Sequence, residues 1–270
     1  ILLLLLECLT LLLYIYKKNF LNLDIGILSL TDSLTKTKLT DPFILSLVKI
    51  IDKNRSILKN LESIDIDSEF TNIVGEKDKS KFYIENQFHK AIGFRKLHVE
   101  IAEFSGNLKI LHSVFFPDPF FNIPIFGLDV VKVKNTISAA IVDLSPVSFH
   151  EKDVYQEKIN KLNKRSFKSL REIPEWGMIF SKNVLFASLN DKNEQNYFYS
   201  VVDDYLSILV QTSLSQSPDL IDERIEERIY FQKRYCTQQM KNQKTSLVLL
   251  NYFEKSWVDK YINKILFDFK

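Results

Sequence analysis

Four side chains that could act as acids, bases or metal ligands lie within one short, otherwise apolar part of the sequence. They are His98, Glu100, His112 and Asp129, in the stretch FRKLHVEIAEFSGNLKILHSVFFPDPFFNIPIFGLD. Imidazoles and carboxylates in such surroundings bind a metal, transfer protons, or satisfy one another as buried polar groups. The spacing of the residues on their strands bears on which of these applies.

The stretch RKLHVEIAEF has the composition of a β-strand, in which successive side chains point to opposite faces, so that His98 and Glu100 share one face. If residues 105–107 close a three-residue hairpin loop, Glu100 lies opposite His112 with their Cβ atoms about 5 Å apart. A two-residue loop would shift the register by one and send His112 to the other face. The pairing of Glu100 with His112 therefore depends on the loop.

Three interpretations of this group remain open from spacing alone. Two imidazoles and a carboxylate suit Zn²⁺ or Fe²⁺. Partial burial raises the pKa of a carboxyl group, which would let it donate protons near neutral pH. The third interpretation is a set of buried polar groups with a purely structural role.

The elements that must position these residues follow from the hydrophobic pattern. Thr40-Asp41-Pro42 is typical of a helix start, and apolar residues spaced by three and four predict a helix to about Leu61. Six β-rich runs with short connections then predict an antiparallel meander. The predicted strands cover residues 70–75, 81–88, 95–104, 108–116, 125–134 and 137–146.

The second half of the chain is mostly helical in pattern. Residues 151–170 predict a helix, 184–190 a further strand, and 194–268 helices with an interruption at 213–219. Helices at both ends of a central antiparallel sheet predict an α/β fold, a three-layer α/β/α sandwich.

Composition excludes several classes of function. The net charge of +2, without a Lys/Arg-dense stripe, argues against a nucleic-acid-binding protein. No glycine-rich phosphate loop is present, which argues against a Rossmann nucleotide site. Cys8 and Cys236 lie far apart and match neither a disulfide framework nor a CxxC metal motif, so we expect a cytoplasmic location.

Residues 1–40 do not share the pattern of the rest. ILLLLLECLTLLLYIYKK is apolar but shorter than the ~20 residues that span a bilayer, and no basic segment precedes it. We expect residues 1–40 to be an extension, either disordered or a gene-model artefact, ahead of a domain at 41–270. A weak membrane anchor is the alternative.

Long ordered blocks of the sequence resemble the ferredoxin-dependent bilin reductases. They are the segment from Phe94 to Val131, ISAAIVDLSP, LREIPEWGMIFS, YCTQQMKNQKT and WVDKYINKILFD. The resemblance covers about residues 41–270 and implies an α/β/α sandwich. It also implies reduction of biliverdin IXα, an open-chain tetrapyrrole, by electrons that ferredoxin supplies one at a time, with no bound metal, flavin or nicotinamide.

The resemblance assigns roles to the four polar residues. Asp129 is the expected central proton donor above the pyrrole rings, and Glu100 is expected to protonate near the D-ring vinyl group. His112 would contact the bilin carbonyl region, and His98 would support it through hydrogen bonding. Such donors suit the chemistry, because each added electron makes the bilin more basic.

The resemblance also implies a binding mode and a product. Arg171 and Lys244 match positions that hold the propionates, a task for which a guanidinium fork and an ammonium are both suited. The Glu100–His112 pair implies a four-electron reduction to phycocyanobilin. A two-electron or other-isomer reductase is the alternative within the family, and a non-catalytic bilin carrier is the alternative outside it.

Ferredoxin is acidic, so a basic rim around the pocket mouth is expected to steer it. The candidates are Lys96, Lys233, Arg234 and Lys241. We expect a monomer that binds biliverdin IXα and ferredoxin and does not bind nucleic acid or a membrane.

Overall fold

A nine-stranded antiparallel sheet forms the middle layer of the fold. The computed structural model describes residues 41–77, 79–104, 107–149, 153–162 and 166–269. The strands are β1 (Glu62–Ser63), β2 (Asn72–Lys77), β3 (Ser80–Ala91), β4 (Phe94–Phe104), β5 (Leu108–Pro117), β6 (Ile125–Val133), β7 (Thr136–Ser145), β8 (Ser169–Leu170) and β9 (Leu185–Leu189). Their order in the sheet is β1-β3-β4-β5-β6-β7-β9-β8, with β2 paired to β3.

Helices cover both faces of the sheet and complete the predicted α/β/α sandwich. They are α1 (Pro42–Arg55), α2 (Val154–Ile159), α3 (Lys192–Ser213), α4 (Asp222–Gln239), α5 (Gln243–Leu250) and α6 (Lys255–Tyr261). One face carries α1 and α3, which are joined by ion pairing of Lys53 with Asp203. The other face packs against the C-terminal helices through a core that includes Phe116, Tyr235 and Tyr261.

Helix α1 begins as the sequence predicts and ends earlier. The Asp41 carboxylate accepts hydrogen bonds from the backbone N–H groups of Phe43 and Ile44, and Pro42 occupies the first turn. The helix stops at Arg55 rather than near Leu61. The backbone leaves the helix and turns at Asn60, whose φ of 54° is left-handed.

The β4–β5 hairpin has the register that a three-residue connection predicts. Phe104 pairs with Leu108, and Glu100 lies directly opposite His112. On the next strand His112 lies opposite Asp129. The three side chains therefore point to one face of the sheet, because directly paired residues of an antiparallel sheet share a face.

The predicted helix over 151–170 is wrong for much of its length. Within the described residues, α2 covers only Val154–Ile159, started by the Asp153 side chain. Ser169 and Leu170 pair instead with β9 at the sheet edge. Hydrogen bonds to a neighbouring strand outweigh a weak helical pattern in so short a segment.

The strand and helices predicted after residue 183 are confirmed. The predicted strand at 184–190 is β9, and the helices over 194–268 are α3 to α6, with the interruption after Ser213. The expectations for residues 1–40 lie outside the described residues. Across the described part of the chain, no helix is long and apolar enough to cross a membrane.

Candidate functional site

A row of polar side chains crosses four neighbouring strands on the face that packs against the C-terminal helices. Asn86 on β3 lies opposite Glu100 on β4, which lies opposite His112 on β5, which lies opposite Asp129 on β6. Adjacent strands are about 4.8 Å apart, so each member of this polar row lies beside the next. The fold thus brings together the residues that the sequence singled out for chemistry: Glu100, His112 and Asp129 lie in the row, and His98 lies beside it in ring contact with His112.

His112 and Asp129 form the closest pair in the row. Nδ1 of His112 lies 2.6 Å from Oδ1 of Asp129. Burial by itself lowers the pKa of His112, but the charge and hydrogen bond of Asp129 and the charge of Glu100 more than offset it, so the pKa is raised. The pair therefore favours an imidazolium that donates to a carboxylate.

Glu100 is buried, and burial raises its pKa because the charged form loses its hydration. The neighbouring His112 charge and a hydrogen bond from Tyr261 work in the opposite direction without cancelling this effect. The hydroxyl of Tyr261 lies 2.6 Å from Oε2 of Glu100. Glu100 is therefore biased toward the neutral, proton-carrying form.

His98 lies two residues before Glu100 on the same face of β4 and is fully buried. Its Nε2 lies 2.8 Å from Oδ1 of Asn86, and its ring stacks on Phe88 with centroids 4.2 Å apart. Burial, together with the charges of Lys96 and His112, holds the pKa of His98 well below its usual value. His98 is thus a neutral imidazole.

The two histidine rings meet edge to face rather than through a direct hydrogen bond. Their centroids are 5.6 Å apart at an interplanar angle of 67°. Nδ1 of His98 and Nε2 of His112 are buried and have no hydrogen-bond partner within the described part of the chain. The expected support of His112 by His98 is thus a ring contact in this structure, and the hydrogen bond of His98 goes to Asn86.

The end of the chain, residues 255–268, closes over the polar row and is called the C-terminal strap below. Helix α6 ends at Tyr261 and continues into a π-helical turn, Ile262–Leu266. Phe267 follows, and its ring meets the His112 ring edge to face at 5.9 Å. Helical irregularities of this kind are frequent at functional sites.

Lys96 anchors the C-terminal strap and does not belong to a surface rim. Its ammonium donates to the carbonyl oxygen of Ile265 at 2.6 Å and forms an ion pair with Asp268. The side chain is buried. The prediction that Lys96 steers a partner at the surface is therefore wrong, because its charge is already satisfied inside the fold.

The other three rim candidates lie at or near the surface. Lys233 and Lys241 are exposed, and Arg234 is half-buried. The Arg234 guanidinium donates to the carbonyl oxygen of Met178 at 3.4 Å. Lys233 and Arg234 lie on α4 and Lys241 lies just beyond its end, in the layer that covers the polar row.

Arg171 lies at the far edge of the sheet, in line with the polar row across the strands. Its backbone N–H donates to the carbonyl oxygen of Phe186 on β9. Phe186 pairs with Ile141 on β7, and Ile141 pairs with Asp129 on β6. Three strand spacings place Arg171 about 14 Å from Asp129. The guanidinium lies over the Phe186 ring and donates to the carbonyl oxygen of Ser138 at 2.5 Å.

Lys244 lies at the start of α5 and is exposed. No ion pair or side-chain hydrogen bond involves its ammonium within the described residues. The structure therefore leaves the charge of Lys244 available to a ligand, but no contact among those residues joins it to the polar row.

A metal ion would need a set of converging ligands. Within the described residues, no group of three or more histidine, cysteine, aspartate or glutamate side chains is arranged to hold one. The metal interpretation therefore has no ligand set in this part of the chain.

Sequence reasoning gave no role to three residues that complete the site. Asn86 and Tyr261 hydrogen-bond to His98 and Glu100, respectively. The hydroxyl of Tyr235 lies over the backbone of Gly127 in β6, 2.8 Å from where a Cβ atom would stand. Their only sequence signal was membership of β3 and of the C-terminal blocks, since contacts so distant in sequence leave no local pattern.

Comparisons with known proteins agree with this architecture. A family model described as ferredoxin-dependent bilin reductase matches residues 49–268. Phycocyanobilin:ferredoxin oxidoreductase from Prochlorococcus marinus strain MIT 9515 is 58% identical over 240 residues, which cover 89% of this chain and 100% of the relative. The protein of the same name from the SARG strain of that species is 42% identical over 233 residues, covering 84% of this chain and 93% of the relative.

A solved structure shares the fold at much lower sequence identity. The crystal structure of phytochromobilin synthase from tomato in complex with biliverdin superimposes with a TM-score of 0.68, at 16% identity. The match covers 82% of this chain and 81% of the tomato chain. The family match over residues 49–268 and the identity to two curated relatives lead to one conclusion: the chain belongs to the ferredoxin-dependent bilin reductases.

Proposed function

We propose that the protein reduces biliverdin IXα to phycocyanobilin with four electrons from reduced ferredoxin and four protons delivered through its own side chains. The observation that carries this proposal is the direct side-by-side pairing of Glu100, His112 and Asp129 on three adjacent strands. In a member of this family, such a row offers proton donors along one line of a bound tetrapyrrole.

The balance of the reaction explains why proton donors are needed. Saturating one double bond at the D-ring vinyl group and one at the A-ring takes four electrons and four protons. Ferredoxin supplies electrons singly and brings no protons. Each electron raises the basicity of the bilin, so a donor within hydrogen-bond reach captures the reduced species before side reactions occur.

Asp129 is suited to deliver protons because it is the accessible member of its pair. Its side chain is 39% exposed, whereas that of His112 is 8% exposed. The His112 imidazolium can pass its Nδ1 proton to Oδ1 of Asp129 across 2.6 Å, and Asp129 then passes a proton to the bilin. His112 thereby acts as the proton reserve behind Asp129.

Glu100 is suited to a second proton transfer at a different place on the bilin. It lies on the other side of His112 from Asp129. Burial raises its pKa, which favours the proton-carrying form that a donor needs. We assign Glu100 to the D-ring vinyl group and Asp129 to the central rings, as the resemblance to the family implies. The two-strand separation of their carboxyl groups supports two distinct sites of proton transfer.

The propionate groups of the substrate need cationic partners. Arg171 lies in line with the polar row across the strands, about 14 Å from Asp129, and presents an exposed guanidinium. Lys244 supplies a second cation from α5. We assign both to the propionates, with a guanidinium fork as the more directional partner.

The wider setting of the protein is part of the same proposal. The enzyme works without a bound metal, flavin or nicotinamide, as a cytoplasmic monomer. Ferredoxin docks on the surface that carries Lys233, Arg234 and Lys241. If docking is electrostatic, turnover with ferredoxin slows as ionic strength rises, and a rate independent of salt would remove the charged surface from the account.

The experiment that tests this function is anaerobic turnover of biliverdin IXα with reduced ferredoxin, followed by absorbance and product chromatography. We expect phycocyanobilin as the final product. A two-electron product that accumulates without further reduction would identify a different reductase of the family. Binding of biliverdin without any reduction would identify a non-catalytic carrier.

A further inference from the structure

Behind Glu100 the structure contains a buried chain of hydrogen bonds that runs from His98 through Asn86 and Tyr261. Asn86 lies on β3, and Tyr261 is the last residue of α6, so the chain links the sheet to the C-terminal strap. All four side chains are buried. Hydrogen bonds within a buried network polarise one another and restrain the side chains that form them.

The orientation of the Asn86 amide is fixed by its surroundings. Its Nδ2 lies 2.7 Å from the carbonyl oxygen of Phe70, which can only accept a hydrogen bond. The nitrogen must therefore face Phe70, and Oδ1 faces Nε2 of His98 at 2.8 Å. Because Oδ1 only accepts, His98 carries its proton on Nε2.

The direction of the next two hydrogen bonds follows from the first. The second Nδ2 proton of Asn86 points to the hydroxyl oxygen of Tyr261 at 2.9 Å. The single proton of that hydroxyl then goes to Oε2 of Glu100, which at 2.6 Å is nearer than Oδ1 of Asn86 at 3.1 Å. The chain therefore runs from Asn86 to Tyr261 to Glu100, with each bond polarising the next.

This direction has a consequence for Glu100. Its Oε2 accepts from Tyr261, so the proton of a neutral Glu100 is left to Oε1. After Glu100 has given up that proton, the same hydrogen bond stabilises the carboxylate. Asn86 on the neighbouring strand keeps the Tyr261 hydroxyl from turning away.

We propose that Tyr261, oriented by Asn86, is a positioning residue for the known reaction class: it holds the proton-bearing Oε1 of Glu100 toward the substrate and stabilises the carboxylate left after proton transfer. This inference rests on the proposed role of Glu100 as a proton donor. It adds the C-terminal strap to the machinery of the site, because Tyr261 belongs to α6.

The decisive variant is Tyr261→Phe, which removes the hydroxyl and keeps the ring. The matched control is Tyr155→Phe on α2, a buried tyrosine whose hydroxyl has no hydrogen-bond partner in the described part of the chain. The first readout uses the protein without substrate: the titration of Glu100, followed by ¹³C NMR of its labelled carboxyl group. Glu100→Gln assigns the signal.

The titration of Glu100 has to be compared with all groups that face it. These are His112 on β5, Asp129 on β6, Asn86 on β3 and Tyr261 from α6. All but Tyr261 are unchanged in the variant. We expect the midpoint of Glu100 to rise in Tyr261→Phe, because a hydrogen bond to the charged form is lost, and to stay in place in Tyr155→Phe.

The second readout is single-turnover reduction of biliverdin. We expect protonation at the D-ring to slow at least about tenfold in Tyr261→Phe. A change of this size is what the loss of one hydrogen bond to a charged group causes. Biliverdin should bind with the same affinity within about twofold, because uniform binding is not the role of Tyr261. The bilin intermediate that Glu100 protonates should accumulate.

A replacement that keeps the tyrosine hydroxyl separates the effect of the hydrogen bond from an effect on the fold. In protein carrying fluorinated tyrosine, the hydroxyl stays but becomes more acidic, which strengthens its donation to Glu100. The Glu100 midpoint should then move down. An unchanged midpoint in both Tyr261→Phe and the fluorinated protein would overturn the inference.

The two proposals fail in different ways. Wild-type protein that reduces no biliverdin would contradict the proposed function and leave the titration of Glu100 to decide the inference. Wild-type turnover with a Tyr261→Phe variant that matches it in both titration and rate would contradict the inference alone.

Discussion

Nδ1 of His112 lies 2.6 Å from Oδ1 of Asp129, and Asp129 is much the more exposed of the two. Asp129 raises the pKa of the buried His112, and in the proposed function the more exposed Asp129 delivers the proton to the substrate. This differs from a pair of solvated surface charges, whose interaction would be weak. It gives a physical reason for placing an imidazole and a carboxylate directly opposite each other on β5 and β6.

Arg171→Gln should weaken biliverdin binding about tenfold, because a propionate loses a charge-assisted hydrogen bond. The measurement is an absorbance titration of the protein with biliverdin. Esterified biliverdin, which lacks the propionate charges, should bind wild type and variant alike. Equal loss with both ligands would mean that Arg171 acts through the sheet edge rather than the propionate.

Arg171→Lys provides the matched control for charge. The ammonium keeps the attraction but loses the fork, so the affinity should fall between those of wild type and Arg171→Gln. If Arg171→Lys binds biliverdin no more tightly than Arg171→Gln does, the forked geometry of the guanidinium, and not its charge, accounts for the affinity.

The half-buried His89 and the buried Asp143 should give the free energy of unfolding opposite dependences on pH over nearly the same range. Burial and the charge of Arg55 lower the pKa of His89 from 6.5 to about 4, so between these values the unfolded chain holds the extra proton and stability rises with pH. Burial raises the pKa of Asp143 from 3.8 to about 6, so there the folded chain holds the extra proton and stability falls with pH.

Single variants separate the two effects. His89→Gln removes the contribution that rises with pH, so between about pH 4 and 6.5 its free energy of unfolding should increase less with pH, or decrease more, than that of wild type. Asp143→Asn removes the contribution that falls with pH, so its free energy of unfolding should increase more with pH, or decrease less, than that of wild type. Urea unfolding at several pH values measures both. Parallel curves for wild type and both variants would show that neither group changes its pKa on folding.

Gly127→Ala should destabilise the protein by about 1–3 kcal/mol through overpacking. The new Cβ atom would stand 2.8 Å from the Tyr235 hydroxyl oxygen. Adding Tyr235→Phe removes that oxygen and should recover part of the loss, which a double-mutant cycle of urea unfolding would measure. Additive effects of the two substitutions would contradict the close approach.

The sequence predicted seven of the nine strands of the sheet, and within the polar row it left the pairing of Glu100 with His112 dependent on the length of the hairpin loop. Alternation along β4 placed His98 and Glu100 on one face, and the observed register of β4 against β5 is the one that a three-residue connection requires. These are local properties of a hairpin, in which turn length fixes the pairing. The register of Asp129 against His112 came only from the structure.

What the sequence did not reveal depends on contacts between distant segments. The sequence predicts Lys96 to be a surface cation, whereas in the structure the C-terminal strap covers it. Tyr261 reaches Glu100 across 161 positions of the chain. No local pattern records such contacts, because they arise when layers pack together.

The most direct test of the proton-donor account is anaerobic turnover of Asp129→Asn with biliverdin and reduced ferredoxin, followed by absorbance and electron paramagnetic resonance. The amide keeps the shape of the side chain but carries no acidic proton. We predict that the variant binds biliverdin, accepts the first electron and stalls at a radical or early intermediate, with phycocyanobilin formation slowed at least about 100-fold. Phycocyanobilin formed at the wild-type rate would contradict the central role of Asp129.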